Sequence, residues 1–496
     1  MRIALISSLG LVVGLIAAGC SGDDCSSSGS CISPDGGSPE ASGSDVVNQP
    51  DVPQNCDLGA DLATSPACID DGVGVFVDGT NGDDANPGTK ESPFKTIAKG
   101  IAAAGALPRV YVCAGTYAED VSLTQTNAVA IMGGMECGSW TYDGAMPIVG
   151  VSTVPLRVAG VVKPIVLSDL TFQAAGGANP GDSSIAALVT STTDLTLRRV
   201  KLRPGAGHDG APGVTGSNWT AVNQDDASIA GKNASGNTGG AAHACTLCTD
   251  NVNSTGGAGG AGGTLSSSGG DTGAPNLSAS PPDDGAGGDN SCTAGHNGAN
   301  APAGTAAPGA TLVGKLTTAG WVPSPGQDGP NGGPGQGGGG GGGKASVTNP
   351  GGGAGGGCGG CGGAGGKGGG GGGASIGLAV ISSKVTLQTC DIVTLAGGAG
   401  GAGSAGQDGQ LGGYAGTASP GCAAGVGGKG GLGGSGGGGA GGISVGIVYT
   451  DQQPEVDQAT SIVVPGTPAT KGTGGTAGTN DGVDGLAQAT FQASSS

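Results

Sequence analysis

Apolar residues recur at every second or third position in three short stretches, which match one another once the glycine-rich blocks between them are set aside. The stretches read IVLSDLTF, LTLRRVKL and VTLQTCDI and begin at residues 165, 195 and 385. This spacing is typical of β-strands joined by tight corners, because an amphipathic helix repeats its apolar positions about every 3.6 residues. Aligning the stretches gives three apolar columns, which are Leu167/Leu197/Leu387, Leu170/Val200/Cys390 and Phe172/Leu202/Ile392.

A second match lies upstream of two of these stretches and shows that the repeat is longer than one strand. SIAALVTSTTDLTL begins at Ser184, SIGLAVISSKVTL begins at Ser375, and GISVGIVY at residues 442–449 is a candidate further copy. One such unit cannot bury its apolar face alone, whereas stacked copies form a continuous aliphatic core. The pattern therefore predicts a parallel β-solenoid in which a very long insertion separates Val200 from Cys390.

The composition agrees with a narrow core and excludes several classes of protein. Aromatic residues make up 2% of the chain and Gly accounts for 116 of 496 residues, so we do not expect a wide sandwich, an α/β enzyme or a helical bundle. The formal net charge of −19 disfavours a nucleic-acid partner, because phosphate contacts require a basic face.

Residues 75–123 carry a more specific pattern. They contain a short apolar strand, a turn ending in NPGT, the segment SPFKTI, a short helix, and the strand VYV followed by GTY. These pieces resemble the N-terminal cap and first coil of pectate-lyase-like right-handed β-helix proteins, and the resemblance extends over 75–204, 374–395 and, weakly, 442–465. It implies an all-β fold: a single-stranded right-handed parallel β-helix with an N-terminal capping helix. Fold alone does not imply the lyase activity of that family.

The predicted capping helix follows Ser92, which we expect to be its N-cap, with Pro93 at the first helical position. Ile97, Ile101 and Ala104 share one face of this helix and can cover the open end of the stacked coils. Such a plug would protect the first strand from pairing with another chain.

The two long glycine-rich blocks begin at the same point of the repeat, after Leu202 and after Leu395. We therefore expect both to leave the solenoid on one face, one above the other. Their Gly-Gly-X triplets suit extended helices of three residues per turn that pack side by side, here called polyglycine-II-like. Low-complexity glycine also suits a disordered loop, and the sequence leaves the two alternatives open.

Cysteine spacing favours the ordered alternative. Cys358 and Cys361 occupy successive X positions, so their Cα atoms would lie about 9 Å apart in such a helix, beyond the ~7 Å that a disulfide spans. They would then pair with another strand, and Cys245 and Cys248 have the same spacing. With His243 beside them, the two CxxC pairs also fit a zinc or redox site, but an exported chain favours structural disulfides.

The other cysteines indicate further disulfides and one free thiol. With Cys20 set aside an odd number remains, and Cys390, in an interior column, is the one that we expect to stay unpaired. The remaining candidate pairs lie close in sequence or flank the first coil, and they are Cys25 with Cys31, Cys56 with Cys68, and Cys113 with Cys137.

The first 20 residues, MRIALISSLGLVVGLIAAGC, contain one basic residue and then an apolar run, which is typical of a signal peptide. Their end, AAGC, resembles a bacterial lipobox, although Leu is commoner than Ala at position 17. The resemblance implies a lipid anchor at Cys20, and Ser21, where an Asp would retain the protein at the inner membrane, favours the outer membrane. A plain secretory signal is the alternative.

Four short segments share an Asp-Gly ending, and they read AGHDG, PGQDG, AGQDG and GTNDG. We interpret them as tight turns, because Gly adopts positive φ and Asp caps the adjacent backbone. A ladder of Ca²⁺ sites is the alternative, but one carboxylate per turn falls short of the roughly six to eight oxygens that Ca²⁺ takes. The acidic turn at residues 78–84 lacks the spacing of a calcium loop and is expected to serve the cap. The four residues are Asp209, Asp328, Asp408 and Asp481.

A polysaccharide lyase would need carboxylates clustered around Ca²⁺ on one sheet face, together with an Arg or Lys base. The carboxylates available in the recognisable coils do not share one repeat column; they are Asp169, Asp194 and Asp391. The basic residues form an edge without an acidic partner cluster; they are Arg198, Arg199, Lys201 and Arg203. We therefore expect no catalytic residues.

Three further side chains have a structural interpretation. Trp140 and Tyr142 are expected to pack over a corner of the first coil rather than to stack on a sugar. His208 lies beside Asp209, but no partnered nucleophile is near it in the sequence.

These features predict a lipid-anchored, surface-exposed structural or adhesive protein without a cofactor, whose partners are the membrane and extracellular glycans or matrix. A polysaccharide-binding or polysaccharide-lyase module is the alternative. The expected organisation is a signal peptide (1–20), a flexible stalk (21–72), the cap and first coils (73–204), a glycine-rich insertion (205–373), a coil (374–395), a second insertion (396–441), and a last coil with a tail (442–496).

Overall fold

The computed structural model describes residues 56–57, 59–277 and 284–494. Within these residues the chain is nearly all β and winds through successive coils, and each coil adds one strand to each of three parallel sheets. This architecture is a parallel β-helix, so the predicted fold class is confirmed.

The three sheets run along the β-helix, and consecutive strands of each sheet pair in parallel. The first sheet contains Gly74–Val77, Arg109–Cys113, Ala130–Met135, Ile165–Ser168, Leu195–Arg198, Val385–Gln388 and Glu455–Val456. The second contains Thr116–Tyr117, Ile148–Val149, Thr171–Gln173, Lys201–Arg203, Asp391–Val393 and Ser461–Val463. The third contains Val121–Thr124, Leu156–Ala159, Ser184–Thr190, Ser375–Ile381, Ser444–Tyr449 and Ala487–Gln492.

The strand register confirms the repeat that the sequence predicts. Leu197 lies between Leu167 and Leu387 in the first sheet, and Ser444 pairs with Ser375 in the third. The inward side chains of all three sheets form one narrow cluster that is almost entirely aliphatic. Equivalent residues of successive copies thus lie next to each other. This stacking stabilises a repeat that is too short to bury its own apolar face.

One α-helix, Ile97–Ala103, lies at the N-terminal end of the coils. Ile97, Ile101 and Ala104 are buried in the same cluster as the inward residues of the first strands. The helix therefore covers the end of the aliphatic core, as its apolar face predicts.

The N-cap of this helix is Thr96 and not Ser92, so that prediction is wrong. The Thr96 hydroxyl accepts a hydrogen bond from the Lys99 N–H at 3.1 Å. Ser92 instead lies in the preceding turn, where its N–H donates to the Thr89 hydroxyl. The Glu119 carboxylate accepts hydrogen bonds from the Ile97 and Ala98 N–H groups, which have no acceptor within the helix. Glu119 therefore completes the capping that Thr96 begins.

The outer face of the first sheet is buried as well, because Cys56 and residues 59–73 pack on it. Along the strand Arg109–Cys113, Val110 and Val112 point inward while Tyr111 points outward, where its hydroxyl donates to the Cys68 carbonyl. A 3-10 helix, Pro66–Cys68, belongs to this layer. The final part of the segment expected to be a stalk is therefore attached to the β-helix.

A hairpin covers part of the outer face of the third sheet. Its strands, Gly314–Thr317 and Gly320–Pro323, pair in antiparallel fashion, and Leu316 and Trp321 pack against outward residues of the third sheet such as Leu188. A second short antiparallel pair joins His243–Ala244 to Thr255–Gly256 within the glycine-rich region.

All long insertions leave the β-helix at the same corner. Residues 204–374, 394–443 and 464–486 each connect a strand of the second sheet to a strand of the third. The expectation that the two long blocks start at one face is therefore confirmed. Among the described residues, no helix has the length and apolar character needed to cross a bilayer.

Candidate functional site

The glycine-rich insertions form one ordered bundle whose central segment is residues 352–373. N–H groups of every third residue from Gly398 to Gly416 donate to its carbonyls in antiparallel order, at N···O distances of 2.8–3.0 Å. Segment 326–341 pairs with it in the same antiparallel sense, and segment 422–440 lies parallel to it. Of the two alternatives that the sequence leaves open, the structure has the ordered, three-residue-period one. We call this assembly the glycine bundle.

Two of every three positions in the central segment are glycine, with Ala354 as the exception, because neighbouring segments approach its backbone from two sides. A Cβ atom on Gly362 would collide with the carbonyl oxygen of Gly332, and one on Gly363 would collide with that of Gln407. The third position faces away from both neighbours and is the one that carries side chains. The residues with side chains at this position are Cys358, Cys361, Ala364 and Lys367.

Two disulfides fasten the central segment to the strand pair beside it. They join Cys245 to Cys358 and Cys248 to Cys361, so the two CxxC motifs pair with each other in parallel, as their equal spacing indicates. The His243 ring does not approach these sulfurs through Nδ1, which contacts the Ala230 carbonyl at 2.7 Å. Because all four sulfurs are in disulfides, the zinc and redox alternatives do not describe this site.

The other described cysteines include one pair that the sequence did not suggest. Cys292 is bonded to Cys422; the two residues share neither a repeat position nor a nearby partner, and only the folded bundle brings them together. The remaining expected pairs among the described residues, Cys56–Cys68 and Cys113–Cys137, are present. Cys20, Cys25 and Cys31 lie outside the described residues.

Cys390 is the free thiol, and it is buried in the aliphatic core. Its Sγ atom lies 3.2 Å from the Leu197 carbonyl oxygen, and burial raises its pKa to about 11. A thiol that is both buried and protonated at neutral pH is unreactive, so Cys390 belongs to the core and not to a site.

Three of the four Asp-Gly pairs do not form turns, so that interpretation is wrong for Asp209, Asp328 and Asp408. Each lies within a segment of the glycine bundle, and none of the following glycines has positive φ. A period of three residues allows an outward Asp to bind the next segment instead: the Asp209 carboxylate accepts the Ala399 N–H at 2.6 Å. Only Asp481 caps a turn, where it accepts the Gly478 N–H.

The four aspartates also do not form a calcium ladder. Asp328 pairs with Lys367 at 2.8 Å and Asp481 with Lys471 at 3.4 Å, each on its own part of the bundle. In the described part of the chain, the single group with metal-ligand spacing is Asp78 with Cys113 and Cys137. Its two sulfurs are bonded to each other, and the Asp78 carboxylate accepts backbone N–H groups of its own turn.

The basic edge of the β-helix has acidic partners, contrary to expectation. Arg199 donates to the buried Asp169 at 2.6 Å and to Asp61 at 2.7 Å. The Arg199 guanidinium holds the pKa of Asp61 below its usual range. Burial, together with the Asp169 charge, raises the pKa of Tyr142, whose hydroxyl donates to Asp169, to about 12.

This cluster is saturated by its own ion pairs and hydrogen bonds, and Asp61 belongs to the layer that covers the first sheet. It therefore ties that layer to a coil corner. The ion pair between Asp61 and Arg199 could not be predicted from the sequence, because the two residues are far apart along the chain and Asp61 lies in the segment expected to be a stalk.

The other lyase candidates do not converge on a site. Asp391 forms an ion pair with Arg203 on the second sheet, while the Asp194 carbonyl accepts the Ile165 N–H before a strand of the first sheet. Arg198 donates to Gln388 at 3.1 Å. The three carboxylates Asp169, Asp194 and Asp391 are thus distributed over separate columns, and Asp169 and Asp391 are each paired with an arginine.

Trp140 packs edge-on against Phe76 with ring centroids 4.7 Å apart, and its Nε1 donates to the Lys90 carbonyl. This agrees with the structural interpretation of Trp140. His208 is in contact through Nδ1 with the Asp209 carbonyl at 3.1 Å and is likewise part of the bundle surface.

One concave surface on the flank of the glycine bundle was not predicted. It is a cavity of about 520 Å³ between the loop 219–225 and the bundle segment 410–414. The lining residues that matter here are Trp219, Gln224, Asp225, Gln410, Leu411 and Tyr414. We call it the flank groove. It could not be predicted from the sequence, because its two walls lie far apart along the chain and neither contains a recognisable motif.

Backbone and side-chain hydrogen bonds hold the two walls of the flank groove together. Trp219 Nε1 donates to the Asp408 carbonyl at 2.9 Å. The Gln224 side-chain amide donates to the Gly412 carbonyl at 2.8 Å, and the Tyr414 N–H donates to the Gln224 carbonyl at 2.8 Å. Trp219 and Tyr414 therefore both line one depression, on a protein that has very few aromatic residues.

Comparison with known proteins gives one partial match. The family model described as "Protein of unknown function (DUF1565)" matches residues 80–133, from the turn after the first strand through the cap into the second coil. That family is associated with β-helix proteins, which is compatible with the parallel sheets. No curated protein and no solved structure matches the chain.

Proposed function

We propose that this protein is a lipid-anchored structural and adhesive protein of the bacterial outer surface, in which a β-helix displays a rigid glycine bundle. The observation that carries the proposal is the order of the bundle. Segments that could have been a loose tether are hydrogen-bonded to one another and fastened by three disulfides of the bundle region, Cys245–Cys358, Cys248–Cys361 and Cys292–Cys422.

Several properties support an exported display role. Disulfides persist in oxidising compartments, and the surface is mostly neutral or acidic with a net charge of −19. The insertions leave the β-helix from one corner, so the bundle projects as a single body. The lipid anchor at Cys20 and the relation to pectate-lyase-like proteins are part of the proposal and rest on the sequence resemblances.

The anchor is tested by replacing Cys20 in a Gram-negative host that expresses the gene. We expect Cys20→Ser to remove metabolic lipid labelling and to release the protein from the outer-membrane fraction. Cys25→Ser is the matched control and should leave both properties unchanged. A Cys20→Ser variant that is still lipid-labelled would contradict the anchor.

Surface display and adhesion are tested on intact cells. Externally added protease should remove the protein from cells that express it, and these cells should attach to polysaccharide-coated surfaces better than cells that lack the gene. Protection from the protease in intact but not in lysed cells would place the protein in the periplasm and overturn the display proposal.

A polysaccharide-binding or lyase module remains the second candidate, and the flank groove favours binding over cleavage. The purified protein is incubated with acidic polysaccharides and Ca²⁺, and unsaturated chain ends are followed over time. We expect no turnover, because the carboxylates of the coils lie in separate columns and Asp169 and Asp391 are each paired with an arginine. Turnover would redirect attention to Asp169, Asp194, Asp391 and the Arg198 edge.

A further inference from the structure

We propose that the flank groove is a binding site for a neutral carbohydrate, with the rings of Trp219 and Tyr414 as its platform. This inference rests on the proposed adhesive function and assigns it a place and a class of ligand. The glycine bundle would then be a carrier that holds a sugar-binding surface at a fixed distance from the β-helix.

The first argument is the exposure of apolar and aromatic groups in a concavity. Tyr414 is 51% exposed and Leu411 is 55% exposed, although both lie on a bundle segment whose other residues are mostly glycine and polar. The aromatic ring face carries negative charge density and attracts the polarised C–H groups on the flat side of a sugar ring. Binding sites for small polar ligands combine such surfaces with a few fixed polar groups.

The second argument is an unpaired polar group at the same place. Gln410 is 3% exposed, and its Oε1 atom accepts the Cys361 N–H at 3.1 Å. That bond fixes the side-chain amide, yet among the described residues its Nε2 atom has no hydrogen-bond partner. A buried amide donor without a partner costs free energy, and a small shift of the Gln410 side chain toward the groove would let a hydroxyl or acetamide oxygen of a ligand satisfy it.

The third argument concerns charge. The lining contains no Lys or Arg, and its single carboxylate is Asp225. An anionic polysaccharide would meet this carboxylate and the large negative charge of the whole protein without a cationic partner. A neutral sugar chain, including one that bears N-acetyl groups, meets no such repulsion.

The site is tested with the full-length protein in detergent micelles, with tryptophan fluorescence as the readout. To assign the signal to Trp219, Trp140 and Trp321 are replaced by Phe. The probes are oligomers of N-acetylglucosamine, neutral glucan oligomers, and polygalacturonate as the anionic comparison. We expect at least one of the two neutral probes to change Trp219 fluorescence saturably, and polygalacturonate to give no change.

Variants of the groove locate the binding. We expect Tyr414→Ala to weaken binding about tenfold through loss of the stacking surface, and Tyr414→Phe to bind within about threefold of the parent because the ring is kept. Leu432→Ala, at another exposed position of the bundle (42% exposed), is the matched control and should bind like the parent. Gln410→Met, which removes the donor at similar volume, should also weaken binding.

Two results would overturn the proposal: no saturable change with either neutral probe while circular dichroism shows a folded protein, or equal binding by Tyr414→Ala and the parent. Equal or tighter binding of polygalacturonate would refute the neutral class of ligand. Measurements of cell attachment distinguish failure of the flank-groove proposal from failure of the proposed function. If Tyr414→Ala cells attach as well as the parent, adhesion stands and the groove is not its site; if the protein is not at the surface, the display proposal fails whatever the groove binds.

Discussion

The β-helix and the glycine bundle belong to one chain but are stabilised by opposite means. In the β-helix, inward side chains such as Leu197 fill a continuous aliphatic core and the strands pair through regular ladders. In the bundle, most positions of the central segment have no side chain, and the backbone groups themselves pack and hydrogen-bond with neighbours on several sides.

The comparison shows how a chain with 2% aromatic residues can order so many of its residues. Glycine loses the most conformational entropy on folding, so the bundle needs compensation that burial of apolar side chains cannot supply. Dense backbone hydrogen bonding supplies part of it, at roughly 1 kcal/mol net per bond. Disulfides that close long loops supply more, by restricting the unfolded chain.

The largest effect is expected from removing the paired CxxC disulfides. Each closes a loop with a sequence separation of 113, and a loop of that size is worth about 4–5 kcal/mol in the chain-entropy treatment. Replacing Cys245, Cys248, Cys358 and Cys361 by Ala should therefore unfold the bundle at much lower denaturant concentration. Trp219 fluorescence, in a protein without the other tryptophans, measures the transition.

The matched control removes the Cys56–Cys68 disulfide, whose sequence separation is 12. It should cost less, about 3 kcal/mol, and it should affect the layer on the first sheet and not Trp219. If both variants shift the Trp219 transition equally, the bundle and the β-helix unfold as one unit and the contrast between them is wrong.

The next effect is expected from Leu197→Ala in the β-helix. Leu197 is fully buried between Leu167 and Leu387, and such truncations cost about 2–5 kcal/mol. The loss is measured by the rate at which the buried Cys390 thiol is alkylated, since this thiol reacts only when the coils open. Thr196→Ala, on the outward side of the same strand, is the control and should change the rate little.

The next effect is expected from adding a side chain to the bundle, which should destabilise it. Gly363→Val places a side chain against the Gln407 carbonyl, and overpacking of this kind costs about 1–3 kcal/mol because the obstacle is backbone that cannot rotate away. Lys367→Val, at an exposed X position of the same segment, is the control. If Trp219 fluorescence shows that the two variants are equally stable, the close approach of the segments is not the reason for glycine at position 363.

The smallest effect is a pH dependence of the layer on the first sheet. Arg199 lowers the pKa of Asp61 in the folded protein, so the pair stabilises the layer above the unfolded pKa of about 3.9 and the stabilisation is lost as pH falls through the folded value. Because both side chains are partly exposed, we expect under about 1 kcal/mol.

Hydrogen exchange of residues 59–73 between pH 5 and pH 2 measures this effect. Asp61→Asn should remove the pH dependence while leaving Cys56–Cys68 intact. A dependence that persists in the variant would assign it to another carboxylate.

The two regions also differ in how far the sequence predicts them. The β-helix was predictable because its columns repeat: the register of Leu197 with Leu387 can be read across a very long insertion. The paired CxxC motifs were predictable for the same reason, since equal spacing implies equal rise. The N-cap at Thr96 could not be predicted, because Ser92 and Thr96 are both residue types that suit an N-cap. The helix begins after Thr96 because the Asp84 and Glu119 carboxylates accept the Thr96 and Ile97 N–H groups, and only the fold brings these carboxylates there.

The flank groove and the Arg199 cluster could not be predicted, because each joins residues that no local pattern connects. Trp219 and Tyr414 meet only after the bundle has formed, and Asp61 meets Arg199 only after the first layer has packed on the sheet. The Asp-Gly pairs were misinterpreted for a related reason. Within the bundle the usual preference of Asp-Gly for turns is overridden, and a neighbouring segment donates a backbone N–H to the carboxylates of Asp209 and Asp328.

The position of the central segment also determines when the bundle can close as the chain is made from its N-terminus. Residues 352–373 are flanked by segment 326–341, which precedes them, and by residues 398–440, which follow. A chain made from its N-terminus must therefore leave every third carbonyl of the central segment, such as that of Ala364, in water until residues 398–416 have been made. The coils up to residue 203 can stack during this time, whereas the bundle waits for residue 440, so its closure marks a chain whose synthesis is almost complete.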